Sequence, residues 1–165
     1  MSTEALAQAD LRTSHARAAA EAVLSLAGTV DRSLDRHAGE FGISDAKLEV
    51  LELLSCCAGR RACLHTLGDR LSVTRPNITK LIDGLERAGL VRRLPHPEDR
   101  RRVQAELTPD GATLAARALP GRVARLEGLW EQVDDAELAE LAAVLTRVAT
   151  AASARWRPAE DDAPS

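Results

Sequence analysis

The chain has 165 residues, 45% of them hydrophobic and 28% charged, with a formal net charge of −3. That balance fits one soluble globular domain or two small modules, and it excludes a membrane span, which takes about twenty consecutive apolar residues. The opening residues MSTEALAQADLR carry Glu4 and Asp10 where a secretory leader would be basic and then apolar, so a cytoplasmic location is expected. Of the three cysteines, Cys56 and Cys57 are adjacent, which is no basis for a disulfide framework and fits a reducing compartment.

The aromatics are Phe41, Trp130 and Trp156, so the core must be built from Leu, Val, Ile and Ala, the side chains of packed helices. Charge is unevenly placed. Between Arg60 and Arg102 there are eleven Lys or Arg against five Asp or Glu, a local net charge of +6, while the rest of the chain carries −9. A basic segment within an acidic frame suits a polyanion such as DNA; a charge run is also what a solvated face looks like.

In chain order, Ser14 and the spacing of Val23, Leu24, Ala27, Val30 and Leu34 predict a long amphipathic helix ending at Gly39 or Gly42, with His15 and His37 on its surface. Ser44 is the expected cap of a second helix, DAKLEVLELLSCCA, with a Leu48, Leu51, Leu54 stripe and a stop at Gly59. A short third helix, LHTLGDRL, precedes a Ser72-Val73 turn. Thr74 then caps a fourth, RPNITKLIDGLERA, with Pro76 in its first turn and Gly89 as its stop. At 100° per residue, Ile78, Leu81, Ile82 and Leu85 share one face of that helix, and small polar or basic residues share the other.

The period then changes from helical to alternating. LVRRL, PHPEDR and RRVQAELT read as strand, arginine-rich tip and strand, a β-hairpin. Thr108-Pro109 starts a further helix, which Pro120-Gly121 should kink. Asp134 and Glu137 make a capping arrangement at the head of a last helix with Leu138, Leu141, Leu145 and Val148 as its stripe, followed by an acidic tail expected to be disordered. The fold class is therefore mainly α with a small β-hairpin wing: a winged helix-turn-helix with helical segments on either side. The domain boundaries follow: helical segments at 1–43 and 112–157, the winged module at 44–111, and the tail at 158–165.

A helix of this kind fits the major groove, and the side chains of its first turns reach base edges. Thr74, Arg75, Asn77, Thr79, Lys80 and Arg87 are the candidate contacts on the fourth helix, and His96, Arg100, Arg101 and Arg102 those on the wing. The segments HPEDRRRVQAELTPDG and TRPNITKLIDGLERAGLVRR resemble the wing and recognition helix of MarR-type transcriptional regulators, closely from Ile43 to Gly111 and loosely beyond. The resemblance implies a homodimer on a pseudo-palindromic operator, with dimerisation through the two flanking helical segments. It also implies release by a small-molecule effector or an oxidant, and repression as the family's commoner mode. It makes Arg101 the wing residue entering the minor groove and Asp99 its support. Ser72 departs from the glycine many members have at the turn, and Pro120-Gly121 interrupts what is usually a continuous helix.

Cys56, Cys57 and Cys63 are candidates for thiol-based sensing, the alternative mode of regulation, and otherwise read as small buried hydrophobes. With His65 they do not have zinc spacing, and no metal or cofactor is expected. No phosphate-binding loop, dinucleotide fingerprint, zincin motif or nucleophile elbow occurs, so an enzyme is not expected. A winged helix used for protein contacts is the remaining rival to DNA binding.

Overall fold

The computed structural model describes residues 3–96, 99 and 102–155. Helix α1 spans Thr3–Gly39, α2 Asp45–Cys56, α3 Leu64–Leu71, α4 Arg75–Arg87, α5 Pro109–Gly128 and α6 Asp135–Arg155. Strands β1 (Arg61–Cys63), β2 (Val91–Pro95) and β3 (Val103–Leu107) form one antiparallel sheet in the order β1-β3-β2. The chain falls into two compact units, the first running to Arg125 and the second beginning at Leu126. Among the described residues no helix is long and apolar enough to cross a membrane.

The core of the first unit is the aliphatic one the composition demands. Leu48, Leu51 and Leu54 of α2 meet Leu67 of α3, Ile78, Ile82 and Leu85 of α4, and Val91, Ala105 and Leu107 of the sheet, all nearly inaccessible to solvent. Along β3 Ala105 and Leu107 are buried, while Val103, which shares their face by strand alternation, is exposed at the far end of the strand. Closure of α5 onto the sheet depends on Thr108. Its hydroxyl donates to the Gly89 carbonyl at 2.8 Å and accepts from the Gly111 amide at 3.0 Å, so one side chain both caps α5 and ties it to the turn after α4. In the second unit Asp134 Oδ1 accepts from the amides of Ala136 and Glu137, and Glu137 reaches back to the Asp134 amide, the reciprocal cap expected from the sequence.

Several expectations are corrected. Helix α1 does not begin at Ser14: it is helical from Thr3, its Ala-rich sequence propagating helix through the serine. Ser44 stands at the N-cap of α2 but its side chain makes no capping bond; the Asp45 amide instead donates to Asp35 Oδ1 of α1 at 2.9 Å. Helix α2 stops at Cys56, and Gly59 lies beyond it in a left-handed conformation within the Ala58–Arg60 turn. The sheet has a third strand, β1, too short to carry an alternating pattern, which pairs Arg61 with Glu106 and Cys63 with Gln104.

Helix α5 runs unbroken through Pro120. Pro120 and Ala116, whose carbonyl loses its helical donor, are both solvent-exposed, so water can replace the missing N–H. Nor is His37 a surface residue. It is 5% exposed, and its Nε2–H donates to the Ala118 carbonyl of α5 at 2.8 Å. A Cβ on Gly121 would lie 2.5 Å from the imidazole, so the glycine provides the seat in which the ring packs.

Candidate nucleic-acid interface

Helix α4 is held from behind and open in front. Its apolar face anchors it: Ile78, Ile82 and Leu85 are buried, and Leu81 is half-buried. Arg75, Pro76, Asn77, Thr79 and Lys80 are exposed on the first two turns. Thr74 takes the extended N-cap conformation, and its carbonyl rather than its side chain makes the first helical bond, with the Ile78 amide at 3.0 Å. The Thr79 hydroxyl donates to the Arg75 carbonyl at 2.9 Å, which leaves its oxygen free to accept. The turn before α4 is sharp because Ser72 is left-handed, with φ 54° and ψ 35°, a geometry that glycine adopts at lower cost.

Arg93 on β2 fixes the angle between α4 and the sheet. Its guanidinium pairs with Asp83 at 2.6 Å and Glu86 at 2.7 Å, and its amide donates to Glu86 Oε1 at 3.1 Å. Burial opposes its charge, but the hydrogen bonds to the two carboxylates outweigh that and hold its pKa above the usual arginine value. The sequence offered no sign of this brace, because a basic strand residue finds its acids only once the helix has docked.

The predicted contacts separate into groups. Arg75, Asn77, Thr79 and Lys80 are brought together on the first turns of α4, with Thr74 just before them. Arg87 lies at the other end, about 18 Å further along the axis, where its Nε donates to the Asp83 carbonyl. On the wing, the His96 amide donates to the Arg102 carbonyl and the Arg102 amide to the Asp99 carbonyl. Arg100 and Arg101 lie outside the described residues, and with them the proposed support of Arg101 by Asp99.

Sequence reasoning missed His65 as a contact residue and considered it only beside the cysteines. Exposed at the start of α3, it receives a hydrogen bond from Arg102 Nη2 at 2.6 Å on Nε2. With Arg75, Arg102, Asp69, Val73 and Ile78 it lines a cleft of about 480 Å³. A neighbouring cleft of about 410 Å³ runs from Leu64 and Thr79 to Asp83, Arg93 and Val103. Of the thiols, Cys56 is exposed, Cys57 half-buried and Cys63 buried, the last facing the Gln104 amide at 3.9 Å. Among the described residues no group of three His, Cys, Asp or Glu converges as a metal site would require.

Behind the interface, Arg122 of α5 is buried against three carboxylates of α2. It meets Asp45 at 2.9 Å, Glu49 at 2.6 Å and Glu52 at 3.2 Å. Burial lowers its pKa, but the hydrogen bond and charge of Asp45, with the charges of Glu49 and Glu52, more than compensate and hold it above the usual value. Three acids to one cation leave an excess of negative charge. Glu49 shows it: burial raises its pKa, Arg122 lowers it less, and Asp45 and Glu52 raise it further.

Comparison with known proteins places this geometry. A family model described as the MarR family matches residues 43–103. The chain is 36% identical over 96 residues to the HTH-type transcriptional repressor YetL of Bacillus subtilis, an alignment spanning 58% of each protein. It is 30% identical over 114 residues to the HTH-type transcriptional regulator PapX of Escherichia coli, covering 68% of this chain and 70% of that one. In three dimensions it is similar to a mutant of E. coli MarR complexed with operator DNA, with a TM-score of 0.71, 28% identity and coverage of 78% of this chain and 91% of that one.

Proposed function

The chain belongs to the MarR family of transcriptional regulators, and on that premise we propose that it is a dimeric repressor that binds a pseudo-palindromic double-stranded DNA operator through α4 and the wing. The observation that carries this reading is the first half of α4. Four side chains able to bond bases or phosphates, Arg75, Asn77, Thr79 and Lys80, stand exposed on a helix whose opposite face is locked by Ile78, Ile82 and Leu85. The major groove admits one such helix, and the brace from Arg93 fixes its angle to the wing. Arg101 is assigned to the minor groove from the sequence motif alone.

Dimerisation is supported by apolar side chains left in water by a single chain. Helix α1 exposes Leu11, Val23, Leu24 and Leu26; α6 has no buried residue and exposes Leu141, Val144 and Val148. Long apolar stripes of this kind mark association surfaces. Release by a small-molecule effector belongs to the same reading: the two clefts beside α4 have the volume of small-ligand sites, and an anion lodged there competes with DNA for the same cations.

The test is operator binding by two variants. Asn77→Ala should relax base preference by about 1–3 kcal/mol at the position it reads. Lys80→Ala should weaken all sequences alike and lower the salt slope by about one. Unchanged affinity and unchanged slope in both would remove α4 from the interface.

A further inference from the structure

We propose that His65 is a further contact of this interface, joining Arg75 and Arg102 in a seat for one backbone phosphate, and that the phosphate draws a proton onto its imidazole. The inference rests on the DNA-binding reading above. It begins with the bond between Arg102 Nη2 and His65 Nε2 at 2.6 Å. The same Nη2 lies 3.4 Å from Nδ1, so the guanidinium rests against the ring between its two nitrogens rather than on one lone pair. The free protein thus holds the His65 ring against a wing cation at the mouth of a cleft lined by Gly68, Val73 and Ile78.

The charges around His65 favour an anion. Arg75 of α4 and Arg102 at the base of the wing face the cleft, and among the described residues the Arg75 side chain pairs with no acid. Arg93 of β2 and Asp83 of α4, in the adjoining cleft, are engaged with each other. Asp69 of α3 is the acid that lines the cleft, and the Cys63 thiol at the end of β1 is buried. A phosphodiester entering here accepts from Arg75 and Arg102. With the phosphate seated beside the ring, Nε2 of His65, which also has the Thr66 hydroxyl 3.3 Å away, takes one proton from solvent and donates it to a phosphate oxygen.

The sign follows from linkage. The proton is held more tightly with the phosphate present than absent, so affinity rises as pH falls through the range in which histidine titrates, and is flat above it. DNA phosphodiesters do not titrate there. His96, itself a candidate wing contact, bonds through its amide to the Arg102 carbonyl, so each titration is run on the natural chain and its pH dependence is compared with that of His96→Gln.

The full chain is titrated onto its selected operator duplex across a salt series at about pH 5.5 and pH 8. At the lower pH the plot of log K against log salt should steepen, by up to about 0.9, as one more protein cation is brought to the backbone. Affinity at fixed salt should rise about tenfold, the size of one charge-assisted hydrogen bond. His65→Gln, which cannot take the proton, should have one slope at both pH values. His65→Lys should show the steeper slope at both. An operator bound with a pH-independent slope, or a pH dependence that survives His65→Gln, overturns the proposal alone; no operator binding at either pH overturns the DNA-binding reading and the proposal with it.

Discussion

At Gly111 there is no room for a side chain: a Cβ would stand 2.0 Å from the Leu90 carbonyl oxygen and 2.9 Å from Leu107 Cδ1. Both belong to packed backbone or core, so Gly111→Ala should destabilise the fold by about 3 kcal/mol in chemical denaturation, through displacement of α5 from the sheet. Ser72 is the converse case. Its left-handed backbone opposes an L side chain, so Ser72→Gly should stabilise by about 1 kcal/mol without altering the turn. Arg122→Met leaves Asp45, Glu49 and Glu52 facing one another with no cation between them, and should cost about 3 kcal/mol or more. Because burial raises the pKa of Glu49, the folded chain binds that proton more tightly than the unfolded one. Stability therefore falls as pH rises from the unfolded value through the folded one, and Glu49→Gln should flatten that part of the stability curve.

At the scale of elements, the sequence was legible wherever a segment is long enough to show its period or carries its own cap. The boundaries of α3 and α4, the Thr108 and Asp134 caps and the pairing of β2 with β3 were readable because each is fixed by residues a few positions apart. Strand β1 was not, since three residues cannot display alternation and its pairing with β3 spans more than forty positions. Separations of 37 positions or more also hid the Arg122 cluster and the contact between His65 and Arg102, whereas the Arg93 brace spans only seven to ten positions and was hidden because it forms only once α4 docks on the sheet. His37 and Pro120-Gly121 were each misread for one reason: an apparent surface histidine and an apparent helix breaker are halves of one packed junction between α1 and α5. Gly121→Ala drives a Cβ into the imidazole and should lower the melting temperature, while the same substitution at exposed Gly39, where a Cβ meets nothing, should be far milder.

For the whole molecule, a net charge of −3 conceals a division of labour. The segment of charge +6 includes α3, α4, β1 and β2, while the acidic remainder keeps other surfaces off a polyanion. The exposed aliphatic residues of α1 and α6 make a single copy an incomplete assembly, so sedimentation should find a dimer at micromolar concentration, and a charged residue in place of Leu24 should weaken it. Two copies of α4 related by a two-fold axis require two half-sites. The most direct measurement is selection from random duplex DNA by the full chain at about 0.15 M salt, where nonspecific binding is weak. A recovered palindrome with half-sites about one helical turn apart is the predicted result. Recovery of no motif, with weak binding that vanishes as salt is raised, would contradict it.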